Sequence, residues 1–281
     1  MNEYYNLFLP LSKREVKIEI SIPRYKENLL FDTLYLLDGQ NAFKDSNAAF
    51  GRSIRATKHL SFAAKEMNRR IVGVAIHNMG TDMGRVNEYS PFKISRTLLD
   101  DWKNNDPEIC ERFCLDLINT IIPFIENKYN VRKTPESRFI YGSSLAATTA
   151  IYLAFKYKES FNYVGAFSPA TFLFEPDYFK FLNENIDTNK KVFIYYGKKE
   201  ISDSMKRSGL YEKASFRLYD FFKEHNIKTR LVVSASAFHN EEAWDNAFLD
   251  FINFIYNEDI IYKRWAIKAH LFITYCLNIH E

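Results

Sequence analysis

Short apolar runs alternate with longer stretches of helical spacing through most of this chain. Residues 15–23 alternate polar and apolar positions, the pattern of a strand with one face in water. Residues 33–37, 70–76, 138–141, 163–167, 192–196 and 230–233 are instead apolar at almost every position. Runs of that kind suit strands covered on both faces, as in a mostly parallel sheet. Between them, residues 111–128 bring Phe113, Leu117, Ile121 and Phe124 to one helical face, with Pro123 marking a kink. Residues 145–157, 211–225 and 243–256 predict further helices. This regular alternation predicts one doubly wound α/β domain over residues 1–259. Two stretches fit less well. Residues 82–106 are polar and punctuated by Gly84 and Pro91 just after Gly80, and predict a long loop over the sheet. The aromatic, apolar tail 260–281 fits three roles equally: an extra helix, a contact between subunits such as those of a homodimer, or a segment foreign to the fold.

Composition narrows the picture. Basic and acidic residues number 38 and 35, so the net charge of +3 gives no electrostatic reason to expect nucleic acid. No run approaches the roughly 18 apolar residues of a membrane span. Residues 1–11 lack the charged start and apolar core of a signal peptide, so a cytoplasmic location is the default expectation. Three cysteines are too few for a disulfide framework. Cys110 and Cys114 stand four apart, but no His or Cys follows at ligand spacing. They read as two half-buried helix positions.

Candidate chemistry sits where a predicted strand turns into a predicted helix. Arg138-Phe139-Ile140-Tyr141 runs into Gly142-Ser143-Ser144-Leu145-Ala146-Ala147 and a long apolar segment. A nucleophile elbow needs small residues two positions either side of its serine, and Gly142 and Ala146 supply them for Ser144. A serine that only N-caps the helix is the competing account. The Leu145 N–H, at the helix start, is a candidate oxyanion donor. A serine hydroxyl needs an imidazole to take its proton. Of six histidines, His239 alone follows the last predicted strand through a short segment, Ser234 to Phe238, and precedes a helix. That is the place of the base in the order serine, acid, histidine. The acid belongs after the preceding strand, where Glu200 is favoured and Asp203 is the alternative.

Taken together these residues resemble the esterase family of α/β hydrolases that includes esterase D, feruloyl and acetylxylan esterases, and enterobactin-type siderophore esterases. The resemblance runs from about Leu34 to Tyr256 and rests on five motifs in order. The first is Leu36-Leu37-Asp38-Gly39-Gln40-Asn41-Ala42-Phe43, and the second is Arg85 with Glu88-Tyr89-Ser90-Pro91. Gly142-Ser143-Ser144-Leu145-Ala146, Tyr196-Gly197-Lys198-Lys199-Glu200, and His239-Asn240-Glu241 with Trp244 complete the set. The resemblance implies an α/β-hydrolase fold and a serine esterase acting on a small ester, with neither metal nor cofactor. It implies a second oxyanion N–H from Gln40. It also implies a substrate cleft at Gly39, Asn41, His77, Arg85, Glu88 and Tyr89, with an Arg85–Glu88 ion pair on one wall. Ala146 and Ala147 depart from the family's usual glycines. A siderophore or carbohydrate-ester hydrolase, an acyltransferase, and a non-catalytic binding protein on the same fold are the alternatives.

Overall fold

The computed structural model describes residues 2–23, 29–80, 82–95, 100–200 and 205–256. The tail 260–281 and Asp203 lie outside them. An antiparallel pair, β1 (Asn2–Leu9) and β2 (Arg14–Ser21), opens the chain. There follow β3 (Asp32–Leu36), α1 (Ala56–Glu66), β4 (Ile71–Ile76), α2 (Asp82–Glu88), α3 (Pro107–Asp116) and α4 (Ile122–Lys128). The second half runs β5 (Arg138–Ser143), α5 (Leu145–Lys156), β6 (Tyr163–Phe167), α6 (Asp177–Glu184), β7 (Lys191–Lys199), α7 (Met205–Glu224), β8 (Lys228–Phe238) and α8 (Glu241–Tyr256).

The strands form one eight-stranded sheet in the order β1-β2-β4-β3-β5-β6-β7-β8. β2 pairs antiparallel with β4, and every pair from β4 through β8 is parallel. The apolar runs are explained by their alternation between two cores. Tyr35, Val72, Val74, Ile140, Val164 and Ile194 join one core with α3 to α7. Their neighbours Leu34, Leu36, Ala75, Phe139, Phe193 and Tyr195 join the other with α1 and α8. Strands β3 to β7 bury both faces along most of their length, so their period of two is hidden beneath uniform apolarity.

Four local expectations change. The region 82–106 is not one loop: it contains α2 and a 3-10 turn over Asp100–Asn104. Met83, Val86 and Tyr89 recur every three residues and pack on the core, a helical stripe that the neighbouring glycines obscured. The helix expected from residue 111 starts at Pro107, because Asp106 accepts the Glu108 N–H and proline suits the first turn. At Pro123 the helix does not kink freely. It passes through a π turn, Leu117–Ile121, in which the Ile122 N–H reaches back to the Leu117 carbonyl. Cys110 and Cys114 are free thiols on α3, fully rather than half buried. Among the described residues no helix is long and apolar enough to cross a membrane.

Candidate active site

The parallel strands end along one edge of the sheet, and the candidate residues stand on the segments that leave it. β5 turns into α5 at Ser144, whose backbone is held at φ 57°, ψ −122°. A side chain rarely adopts such a conformation, so the surrounding packing must enforce it. Gly142 is part of that packing: a Cβ there would lie 2.3 Å from the Ala146 carbonyl oxygen. The crossing of β5 and α5 therefore admits only hydrogen at position 142. Alanine at 146 is accommodated, fully buried, so the departure from glycine there does not open the elbow. Ser144 occupies the N-cap position, yet its side chain makes no capping bond. The capping account does not describe this serine. The Leu145 N–H belongs to the first turn of α5, where helix amides have no partner within the helix.

Glu200 follows β7 and its side chain is fully buried. Its Oε1 accepts from the Gly197 N–H at 2.6 Å and from the Ser168 hydroxyl at 2.7 Å, and its Oε2 is bonded to His239 Nδ1. Three partners converge on one carboxylate in a dry setting, so its buried oxygens are not left unpaired. The imidazole reaches it because β8 runs on to Phe238 through the segment expected to be a loop. Near its end the β7–β8 register shifts between Gly197 and Lys199, and a Cβ on Gly197 would lie 2.3 Å from the Ala237 carbonyl oxygen. This close crossing ties the His239 N–H to the Glu200 carbonyl at 3.1 Å. Trp244 meets the imidazole edge to face, 5.1 Å between centroids, and donates its indole N–H to Ser168 at 3.0 Å.

Ser144 and His239 open into one cleft of about 1240 Å³. Gln40, Asn41, His77 and Arg85 also line it, as expected, together with Asp38, Asn78, Trp102, Glu241 and Trp244. Gly39, Glu88 and Tyr89 do not reach it. Gly39 is buried where a Cβ would lie 2.5 Å from the Ile76 backbone nitrogen, so its role is to let the Asp38 turn lie against β4. Tyr89 is fully buried and its hydroxyl accepts the Asp38 N–H at 3.1 Å, holding the same turn from below. Glu88 is buried too, and pairs with Arg14 rather than with Arg85. Arg85 grips Asp38 with two bonds, Nε to Oδ1 at 2.9 Å and Nη2 to Oδ2 at 2.6 Å, and Asn78 donates to Oδ1 at 2.7 Å. Burial works against the Arg85 charge, but the Asp38 carboxylate more than offsets it and raises the guanidinium pKa. The expected Arg85–Glu88 pair fails because Asp38, on the turn after β3, offers the bidentate geometry that guanidinium prefers.

The family model for "Putative esterase" matches residues 11–251. The chain belongs to that family. It is an esterase, a hydrolase of carboxylic esters. An uncharacterized protein of Bacillus subtilis, YbbA, is 19% identical over 232 residues, covering 82% of this chain and 87% of its own. The siderophore hydrolase EstA of Aspergillus nidulans shares the fold with a TM-score of 0.72 at 14% identity, over 90% of this chain and 94% of its own. A ferulic acid esterase of Anaeromyces mucronatus does so with a TM-score of 0.64 at 20% identity, over 90% and 89%. The candidate site also draws on residues that sequence reasoning passed over: Ser168, Asn78 and Tyr211, which touch Glu200, Asp38 and His239 in turn. Ser168 carries a visible signal, since it ends an apolar run and precedes proline, and its φ is 51°. Tyr211 sits in a helix among many aromatics and carries none.

Proposed function

We propose that the esterase works by two-step acyl transfer with Ser144 as nucleophile, His239 as base and Glu200 as the orienting acid. The observation that carries this reading is the serine held in a strained strand-to-helix turn, sharing a cleft with an imidazole whose Nδ1 is bound to a buried carboxylate. In the first step Ser144 Oγ bonds to the ester carbonyl carbon while its proton passes to His239 Nε2. The carbonyl electron pair moves onto oxygen, where the amides of Leu145 and Gln40 receive it. Collapse expels the alcohol, which takes the proton from His239. Water then repeats the sequence and releases the acid. Glu200 holds the proton on Nδ1 so that Nε2 is the free base, and it stabilises the imidazolium that forms.

Aromatic walls from Trp102, Trp244 and Phe50 and the size of the cleft favour an ester bearing a ring or other bulky group over an acetate. Hydrolysis of p-nitrophenyl acetate and butyrate by the native enzyme and Ser144→Ala tests the reading. Activity that disappears in the variant supports it; equal rates in both remove Ser144 from the mechanism.

A further inference from the structure

Tyr211, on the first half of α7, is buried beside the imidazole of His239. Its ring lies against that imidazole, 4.5 Å between centroids with the planes tilted by 39°. Phe172 in turn meets the tyrosine ring at 5.1 Å with the planes nearly perpendicular, which fixes the ring's orientation. We propose that Tyr211 is a positioning residue for the base, its ring face supporting the His239 imidazolium. The proposal rests on Ser144 and His239 acting as described above.

The chemistry follows from the ring contact. When the Oγ–carbon bond forms, the Ser144 proton moves to Nε2 and the imidazole carries a positive charge against an aromatic face, so the contact strengthens from a neutral ring pair to a cation–π interaction. Burial pushes the tyrosine pKa up to about 12, so the ring stays neutral throughout the cycle. Among the described residues, the charged and titratable groups around His239 are Glu200 after β7, Glu241 at the start of α8 and Tyr211 on α7. Arg85 acts on the last two.

The test compares Tyr211→Phe, which keeps the ring, with Tyr211→Leu, which removes it, using p-nitrophenyl butyrate across pH 5 to 9. Keeping the ring leaves the acid limb of kcat/KM where it was. Losing the ring moves that limb to lower pH by roughly 0.5, because the imidazolium loses its support. A Leu variant with an unmoved limb overturns the proposal, and so does a Phe variant whose limb moves as far as that of Leu. Should the Leu variant not fold, Tyr211→Met fills the same space without an aromatic face and is read in the same way. Ser144→Ala runs in the same assay: if it stays active, the nucleophile assignment falls, whereas an inactive Ser144→Ala beside a Leu variant with an unmoved limb removes only Tyr211.

Discussion

Replacing Glu200 by glutamine keeps the shape of the side chain and changes one oxygen into a donor. The structure dictates where that donor goes. The Gly197 N–H, 2.6 Å from Oε1, cannot become an acceptor, so the amide oxygen belongs at that end. The amide NH2 then faces His239 Nδ1, which must shed its proton to accept, and the proton settles on Nε2. An imidazole in that tautomer cannot take a proton from Ser144, and the loss in kcat approaches ~10⁴-fold, or about 5.5 kcal/mol. The alternative is to turn the amide over. That presses its NH2 against the Gly197 N–H and leaves a buried donor unsatisfied, at about 1–3 kcal/mol plus the repulsion of two donors in contact. The cheaper route governs, so kcat falls between about 10²- and 10⁴-fold, with little change in KM. The assay is steady-state hydrolysis of p-nitrophenyl butyrate, with thermal unfolding followed by circular dichroism to establish that the variant is folded. A folded Glu200→Gln enzyme within tenfold of native kcat would refute the reasoning and move the acid's role to Asp203.

Three further outcomes follow from the same contacts. Gly142→Ala drives a Cβ into the Ala146 backbone, which cannot give, and should cost about 3 kcal/mol and about 5–10 °C in Tm; an unchanged Tm would contradict the elbow packing. Ser168→Ala takes a partner from both Glu200 and Trp244 and should cost about 1–3 kcal/mol in denaturant unfolding while lowering kcat roughly tenfold; intact activity would show that Glu200 does not need it. Burial pushes the Glu88 carboxyl up to about 7, with Arg14 pulling the other way. A raised acid stabilises the fold below its unfolded pKa of about 4.5 and loses that contribution as pH climbs toward 7, a change of at most about 3 kcal/mol. Glu88→Gln should therefore flatten the decline in stability between pH 5 and pH 8, and parallel curves for the two proteins would show that Glu88 does not titrate there.

The centre of the sheet, β3 to β7, is legible because those strands are buried on both faces, and a run of apolar residues between polar ones leaves few other readings. What escaped were the elements whose burial is one-sided. β1 is an edge strand with alternating exposure, and α2 is a single short stripe with Gly80 just before it and Gly84 inside it. The end of β8 reads as a loop because Ser234 and Ser236 interrupt it, yet its crossing over Gly197 delivers His239 to Glu200. Ser144, His239 and Glu200 are candidates by their places in the order of strands and turns, which chain sequence preserves, and the structure brings the imidazole to the carboxylate and to the cleft of the serine. The cleft walls are legible only in part, since reaching a cleft depends on side-chain direction: Gln40, Asn41, His77 and Arg85 line it, and Gly39, Glu88 and Tyr89 do not. Arg85 faces it while Glu88 and Tyr89, three and four residues on, turn beneath it, and no spacing rule chose between Asp38 and Glu88 as the partner of Arg85.

The central claim is an acyl-enzyme on Ser144, and covalent labelling reaches it without knowledge of the natural ester. The folded enzyme is incubated with a fluorophosphonate, digested, and its peptides are weighed by mass spectrometry. The account predicts one adduct, on the peptide holding Ser144, absent from Ser144→Ala and much slower to form in His239→Ala. An unlabelled native enzyme, or an adduct on a different serine, would contradict it.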